Sequence, residues 1–202
     1  MKFFFIRTAF ILLTLFTFLN SVGLLKIPLH FPWMILFVST LAIWIFWETI
    51  CRPFFYFPGL MGGIFAFQLY ADILGNTFKL YAKFIRYDEF THFTGGLTFG
   101  VLMILILSYL NKKKQWKLTP NPLIFFSVSL ALSLGVLYEF WEYFAQSVLG
   151  YQQLIGGIGD IIDDLFFDLI SAAIAASLLV FLLKKKGYFL PPHQSLDDQM
   201  KS

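Results

Sequence analysis

The chain has 202 residues, of which 58% are hydrophobic and only 13% charged, against about 25% charged in an ordinary soluble domain. That composition excludes a soluble globule, and the single cysteine, Cys51, excludes an internal disulfide framework or a cysteine-rich metal site. Fifteen Lys and Arg against twelve Asp and Glu leave a net charge of +3, which the flanks of the apolar runs explain without a basic face for nucleic acid.

Apolar runs lie near 3–23, 29–49, 54–74, 88–110, 121–148 and 161–183, each long enough at 1.5 Å per residue to cross about 30 Å of hydrocarbon. Six such spans leave only short links. The expected fold is therefore all-α, a polytopic transmembrane helical bundle forming one domain over 1–186, followed by a cytoplasmic tail over 187–202. Alternating ten-residue strands are absent, so a barrel does not fit.

The first run is Phe-rich, carries Arg7 near its start and lacks an A-x-A cleavage pattern, so it is expected to be a retained span rather than a signal peptide. At the end of the second run, Glu48 and Arg52 stand four apart, the spacing of an ordinary helical ion pair. The link over 78–87 carries three positive charges among aromatics and suits a short interfacial helix. Small residues cluster on the fourth span (Gly95, Gly96, Gly100) and the sixth (Ser171, Ala172, Ala173, Ala175, Ala176, Ser177), where they permit close helix packing. There is no internal repeat of the kind that builds many transporters. The tail, with Pro191, Pro192, Asp197 and Asp198, suits a flexible end.

The basic residues set the expected orientation. With both termini cytoplasmic, Lys2, Arg7, Arg52, Lys112, Lys113, Lys114, Lys117, Lys184, Lys185, Lys186 and Lys201 lie inside, while Lys26, Lys79, Lys83 and Arg86 lie outside. An 11 to 4 split follows the positive-inside rule and fits a multi-pass protein of a bacterial inner membrane.

On that topology the acids are one-sided. Asp72, Asp88, Glu89, Glu139, Glu142, Asp160, Asp163, Asp164 and Asp168 fall toward the outer side of spans three to six, and only Glu48, Asp197 and Asp198 lie opposite. A carboxylate at mid-bilayer costs about 2.5–3.5 kcal/mol even on the lenient scale, so the set needs partners or water. Asp88 and His92 share a helical face, Glu139 and Glu142 are three apart, and Asp160, Asp164 and Asp168 form a stripe in steps of four, with Asp163 beside it. Spans five and six carry no basic residue before Lys184, so these acids must hold protons, a metal ion or a water-filled cleft. Oxygen-rich ligands with one imidazole suit a divalent metal ion such as Mg²⁺, Mn²⁺, Zn²⁺ or ferrous iron. Plainer roles stand beside these: His92 as a hydrogen-bonded packing residue, Glu139 and Glu142 as snorkelling acids in an aromatic belt, Glu89 as solvated or paired with Lys, and Asp160 and Asp163 as residues favoured at a helix start.

The blocks YDEFTHFTGGLTFG (87–100), YEFWEYFA (138–145) and GDIIDDLFFDLISAAIAA (159–176) resemble the signature blocks of the YjdF-like family of uncharacterised small bacterial inner-membrane proteins. In that resemblance Asp88, His92, Glu139, Glu142, Asp160 and Asp168 match by position, over roughly the second half of the chain. It implies a membrane protein of this kind and brings no known reaction. A fainter likeness to VanZ-like proteins fixes no activity either. Gly157-Ile158-Gly159-Asp160 with Tyr87-Asp88 also resembles the catalytic pairs of presenilin-type intramembrane aspartyl proteases, although their Pro-Ala-Leu block is missing.

The leading functional expectation is a metal-dependent membrane enzyme with Asp88, His92, Glu139, Glu142, Asp164 and Asp168 as candidate metal ligands and Asp160 or a spare Glu as general base on a metal-bound water. Membrane lipid is the expected partner and a lipid-like molecule the expected substrate. The alternatives are a cation or proton-coupled transporter, an intramembrane aspartyl protease using Asp88 and Asp160, and a packing cluster without catalysis.

Overall fold

The computed structural model of the chain describes residues 3–25, 33–54, 57–150 and 157–188. Among them, helix is the only regular structure: α1 Phe4–Ser21, α2 Trp33–Phe46 continuing through a π-turn Trp47–Cys51, α3 Arg52–Phe54, α4 Pro58–Thr77, α5 Leu80–Lys83, α6 Tyr87–Lys114, α7 Pro120–Ser147 and α8 Ile158–Lys185. The protein is an all-α helical bundle, as the apolar runs imply.

Five stretches, α1, Trp33–Cys51, α6, α7 and α8, are long and apolar enough to cross a membrane. Helix α4 has 20 residues but carries Gln68, Asp72, Asn76 and several glycines, and falls short of the others in apolarity. It also starts later than the expected 54, because Pro58, which has no N–H to give to a preceding turn, occupies the first helical position. The link over 78–87 contains only the single turn α5.

Two sets of contacts assemble the bundle. In the first, α1, α2 and α4 meet around aromatic rings: Phe10 stacks on Trp44 and Trp47 with centroids 6.4 and 5.7 Å away. Trp47 Nε1 donates to the Pro58 carbonyl at 2.7 Å, and the indole presses on Gly62, where a Cβ would stand 2.6 Å from it. Arg7 of α1 bonds Glu48 at 2.6 and 3.1 Å, and Arg52 reaches the same carboxylate at 2.9 Å. The expected pair of Glu48 and Arg52 is thus one side of a triad that includes Arg7.

In the second set, α6, α7 and α8 pack mutually, with α6 and α8 sharing the largest interface, and α4 joins the two sets by lying against α6. The small residues set the distance. A Cβ on Gly96 would stand 2.6 Å from the Asp168 carbonyl oxygen, and one on Gly100 would stand 2.8 Å from Ala172 Cα. These backbones are in contact, so no larger side chain fits between them.

Of the expected tail, 189–202 lies outside the described residues. Its beginning is tied down: the Tyr188 hydroxyl donates to the Ser108 carbonyl, and Lys186 Nζ sits 4.5 Å from the Phe57 ring centroid.

Candidate functional site

Three helix ends converge beside α5: the start of α6, the end of α7 and the start of α8. At 1.5 Å per residue, His92 lies about 7 Å into α6, Glu139 about 12 Å before the end of α7, and Asp164 and Asp168 about 9 and 15 Å into α8. Helix α8 begins at Ile158, so the stripe Asp160, Asp164, Asp168 is helical throughout, as the spacing requires.

His92 is the centre of the arrangement. Its Nε2 lies 3.6 Å from Glu139 Oε1 and 3.8 Å from Asp164 Oδ2, and its Nδ1 lies 3.5 Å from Asp168 Oδ2. The four side chains are buried, Glu139 at 7% exposure and Asp164 at 3%. Separations of 3.5–3.8 Å exceed a normal N–H···O hydrogen bond of about 2.9 Å, so the imidazole faces its carboxylates across a small gap. Glu139 Oε1 and Asp164 Oδ1 are both buried without a hydrogen-bond partner. Buried polar atoms are usually paired, and unpaired ones cost about 1–3 kcal/mol or more when charged.

The remaining acids complete two adjacent groups. One ligand atom each from His92, Glu139 and Glu142 lie within 4.8 Å of one another, and so do one each from Asp88, Asp160 and Asp164. Since Asp164 approaches His92 as well, the two groups are neighbours. Every site residue named from the sequence, Asp88, His92, Glu139, Glu142, Asp160, Asp164 and Asp168, therefore lies in this cluster. Asp163 is exposed and faces away from it.

Charge balance is incomplete. Lys79, Lys83 and Arg86 are exposed around α5, and among the described residues none forms an ion pair with Asp88 or Glu89. The amino-terminal ends of α6 and α8 supply partial positive charge near Asp88 and Asp160, worth about 0.3–1 kcal/mol each. Glu89, expected to be solvated or paired with Lys, instead has a buried oxygen without a hydrogen-bond partner.

Sequence reasoning placed Asp72 among the one-sided acids but left it out of the site. It belongs to an adjoining polar network: Gln68 Nε2 donates to Asp72 Oδ1 at 3.3 Å and to the Thr91 carbonyl at 3.4 Å, Thr94 Oγ1 donates to Gln68 Oε1 at 2.5 Å, and the Tyr81 hydroxyl donates to Asp72 at 3.4 Å. The spacing of Gln68 and Asp72, four apart on one face, carried that signal. Gly135 was missed too. A Cβ there would fall on the Asp168 carboxylate, so the glycine makes room for it. Four residues before Glu139 on the same face, it was findable only once α8 was known to pass there. Tyr138 adds an edge-on ring contact to His92, 5.8 Å between centroids.

A family model described as "Predicted membrane protein (DUF2238)" matches residues 3–185. An uncharacterized protein of Thermotoga maritima is 25% identical over 177 residues, covering 83% of this chain and 90% of its own length. No solved structure matches.

Proposed function

The chain belongs to the DUF2238 family of predicted membrane proteins, and from its polar cluster we propose that it is a metal-dependent membrane enzyme that binds a divalent cation between α6, α7 and α8. One observation carries this: Glu139 Oε1 and Asp164 Oδ1 are buried, lack a hydrogen-bond partner and belong to carboxylates facing the same imidazole nitrogen. Two donors each about 2.1 Å from one ion at a tetrahedral angle stand about 3.4 Å apart, close to the 3.6 and 3.8 Å separations here. An ion between His92 Nε2 and Glu139 would satisfy Glu139 Oε1, and its charge would offset that of Asp164, whose Oδ2 is the oxygen nearest Nε2.

The ligand set divides by which nitrogen it faces. His92 Nε2, Glu139 and Glu142 would supply donors on one side, and Asp164, 3.8 Å from Nε2, links them to the neighbouring group with Asp88. Asp168, on the Nδ1 side, serves better as the carboxylate that orients the imidazole than as a ligand, an arrangement common to metal-binding histidines. Asp160, grouped with Asp88 and Asp164, would serve as general base in hydrolysis of a lipid-like substrate that a bound ion would polarise, taking a proton from water and passing it to the group that leaves as the electrophilic centre gains the hydroxyl. With both termini cytoplasmic, the site lies in the extracytoplasmic half of an inner membrane.

The dyad alternative draws on the closeness of Asp88 and Asp160. Metal-independent proteolysis abolished by Asp88→Asn or Asp160→Asn would replace the metal reading. A transporter finds less support, because the polar cluster ends where Gly96 and Gly100 press on Asp168 and Ala172.

The test is metal analysis of detergent-purified protein. Wild type loaded with Mn²⁺ or Zn²⁺ is expected to retain stoichiometric metal, and His92→Ala, Glu139→Gln and Asp88→Asn to lose it while eluting as folded protein. A wild type that holds no more metal than these variants overturns the proposal.

A further inference from the structure

Below the polar centre, between α4, α6 and α8, lies a half-open cavity of about 250 Å³ with an almost wholly apolar wall. Gly63 and Phe67 of α4, Thr94 and Val101 of α6, and Ile174 and Leu178 of α8 line it. Both α4 and α8 pack on α6, and the groove is the space left between them. Its upper end adjoins the polar network beside the site: Thr94, two residues past His92, donates to Gln68, which in turn donates to Asp72. At its α4 wall stands Gly63, where an added Cβ would meet nothing within 4 Å. No helix packing requires a glycine there, and a side chain would simply fill the groove.

We propose that this groove seats one acyl chain of a membrane phospholipid whose head group is the substrate of the polar site; the assignment rests on the enzyme reading above and names its substrate class. Three features select this occupant. The walls at α6 and α8 belong to helices apolar and long enough to cross the bilayer, so a hydrocarbon chain is the material at that depth. From Thr94, at the level just past His92, the groove extends along α6 and α8 to Val101 and Leu178, away from the polar end, which is how a phospholipid chain lies below its head group. Finally, Lys79, Lys83 and Arg86 lie exposed at the same end as the centre and suit an anionic phosphate.

The experiment uses full-length protein in nanodiscs of phosphatidylethanolamine and phosphatidylglycerol, doped with phosphatidylglycerol carrying a diazirine within one acyl chain. After irradiation, adducts are mapped by peptide mass spectrometry. Wild type is expected to be labelled at Phe67, Ile174 and Leu178 well above Leu130 and Leu137, exposed α7 residues outside the groove. Gly63→Phe is expected to lower groove labelling about tenfold, since even one methylene's misfit in an apolar pocket is worth about tenfold or more, with α7 labelling and metal content unchanged. Leu178→Trp, at an exposed groove position, is a second filling variant and is expected to act alike. Groove labelling no stronger than α7 labelling, or labelling indifferent to both filling variants, overturns the proposal. Groove labelling that both variants abolish in a protein holding no metal supports the chain seat and overturns the metal reading instead.

Discussion

At the scale of single residues, His92 organises the site because each ring nitrogen faces a different carboxylate set. Nε2 looks to Glu139 and Asp164, and Nδ1 to Asp168. A ligand and an orienting partner have different costs on removal, which gives the first prediction. Glu139→Gln is expected to abolish stoichiometric binding, whereas Asp168→Asn is expected to weaken metal affinity about 10–100-fold while leaving a measurable site. Titration with Mn²⁺ or Zn²⁺ under competition from a chelator separates the two, and equal losses would contradict the division of roles. Gly135 offers an independent check. A methyl group at Gly135 displaces the Asp168 carboxylate, so Gly135→Ala is expected to reproduce the weakened affinity of Asp168→Asn although alanine carries no polar atom. Acidification is expected to reduce metal occupancy in wild type, because protons compete for the ligand oxygens and for the imidazole.

At the scale of elements, the contacts divide into those that sequence periodicity exposes and those that only the packed bundle exposes. Asp88 with His92, Glu139 with Glu142, and Asp160 with Asp164 and Asp168 were legible because three- and four-residue steps put side chains on one helix face. Their convergence was legible too, since unpaired acids in an apolar setting need one another's company or a cation. The roles of Gly135 and Gly96 were not, because each is defined by the Asp168 backbone or carboxylate of another helix. Nor was Arg7's partner visible, Glu48 being 41 residues away. These cross-helix contacts make predictions of their own. Gly96→Leu or Gly100→Leu drives a side chain into α8 backbone, and overpacking of this sort costs about 1–3 kcal/mol or more, so lower thermal midpoints in detergent and poorer expression are expected. Arg7→Ala removes two hydrogen bonds joining α1 to the π-turn, whereas Arg52→Ala removes a contact within one stretch of helix. Both arginines are about four-tenths exposed, so each loss is expected to be about 1 kcal/mol or less, with Arg7→Ala the larger in a thermal-shift comparison.

For the whole molecule, the informative property is polarity along the bundle axis. The end that carries the acid cluster holds α5, the start of α6, the end of α7 and the start of α8, and among the described residues its cations are Lys79, Lys83 and Arg86. The other end gathers Arg7, Arg52, Lys112, Lys113, Lys114, Lys117, Lys184, Lys185 and Lys186. Basic residues flanking membrane helices are retained on the cytoplasmic side, so the asymmetry leads to the expectation that the acid cluster faces away from the cytoplasm. In that orientation, the proposed phospholipid substrate would meet the polar centre at head-group depth from the outer leaflet and not from the inner one. The native thiol interferes little with a labelling test, since Cys51 is fully buried, and Cys51→Ser removes it from the background. In that background Lys83→Cys and Lys114→Cys place a thiol at exposed positions on opposite ends. A membrane-impermeant maleimide added to intact spheroplasts is expected to modify Lys83→Cys and spare Lys114→Cys until the membrane is permeabilised. The reverse pattern would place the acid cluster on the cytoplasmic side, and the outer-leaflet phospholipid would then be unable to reach it.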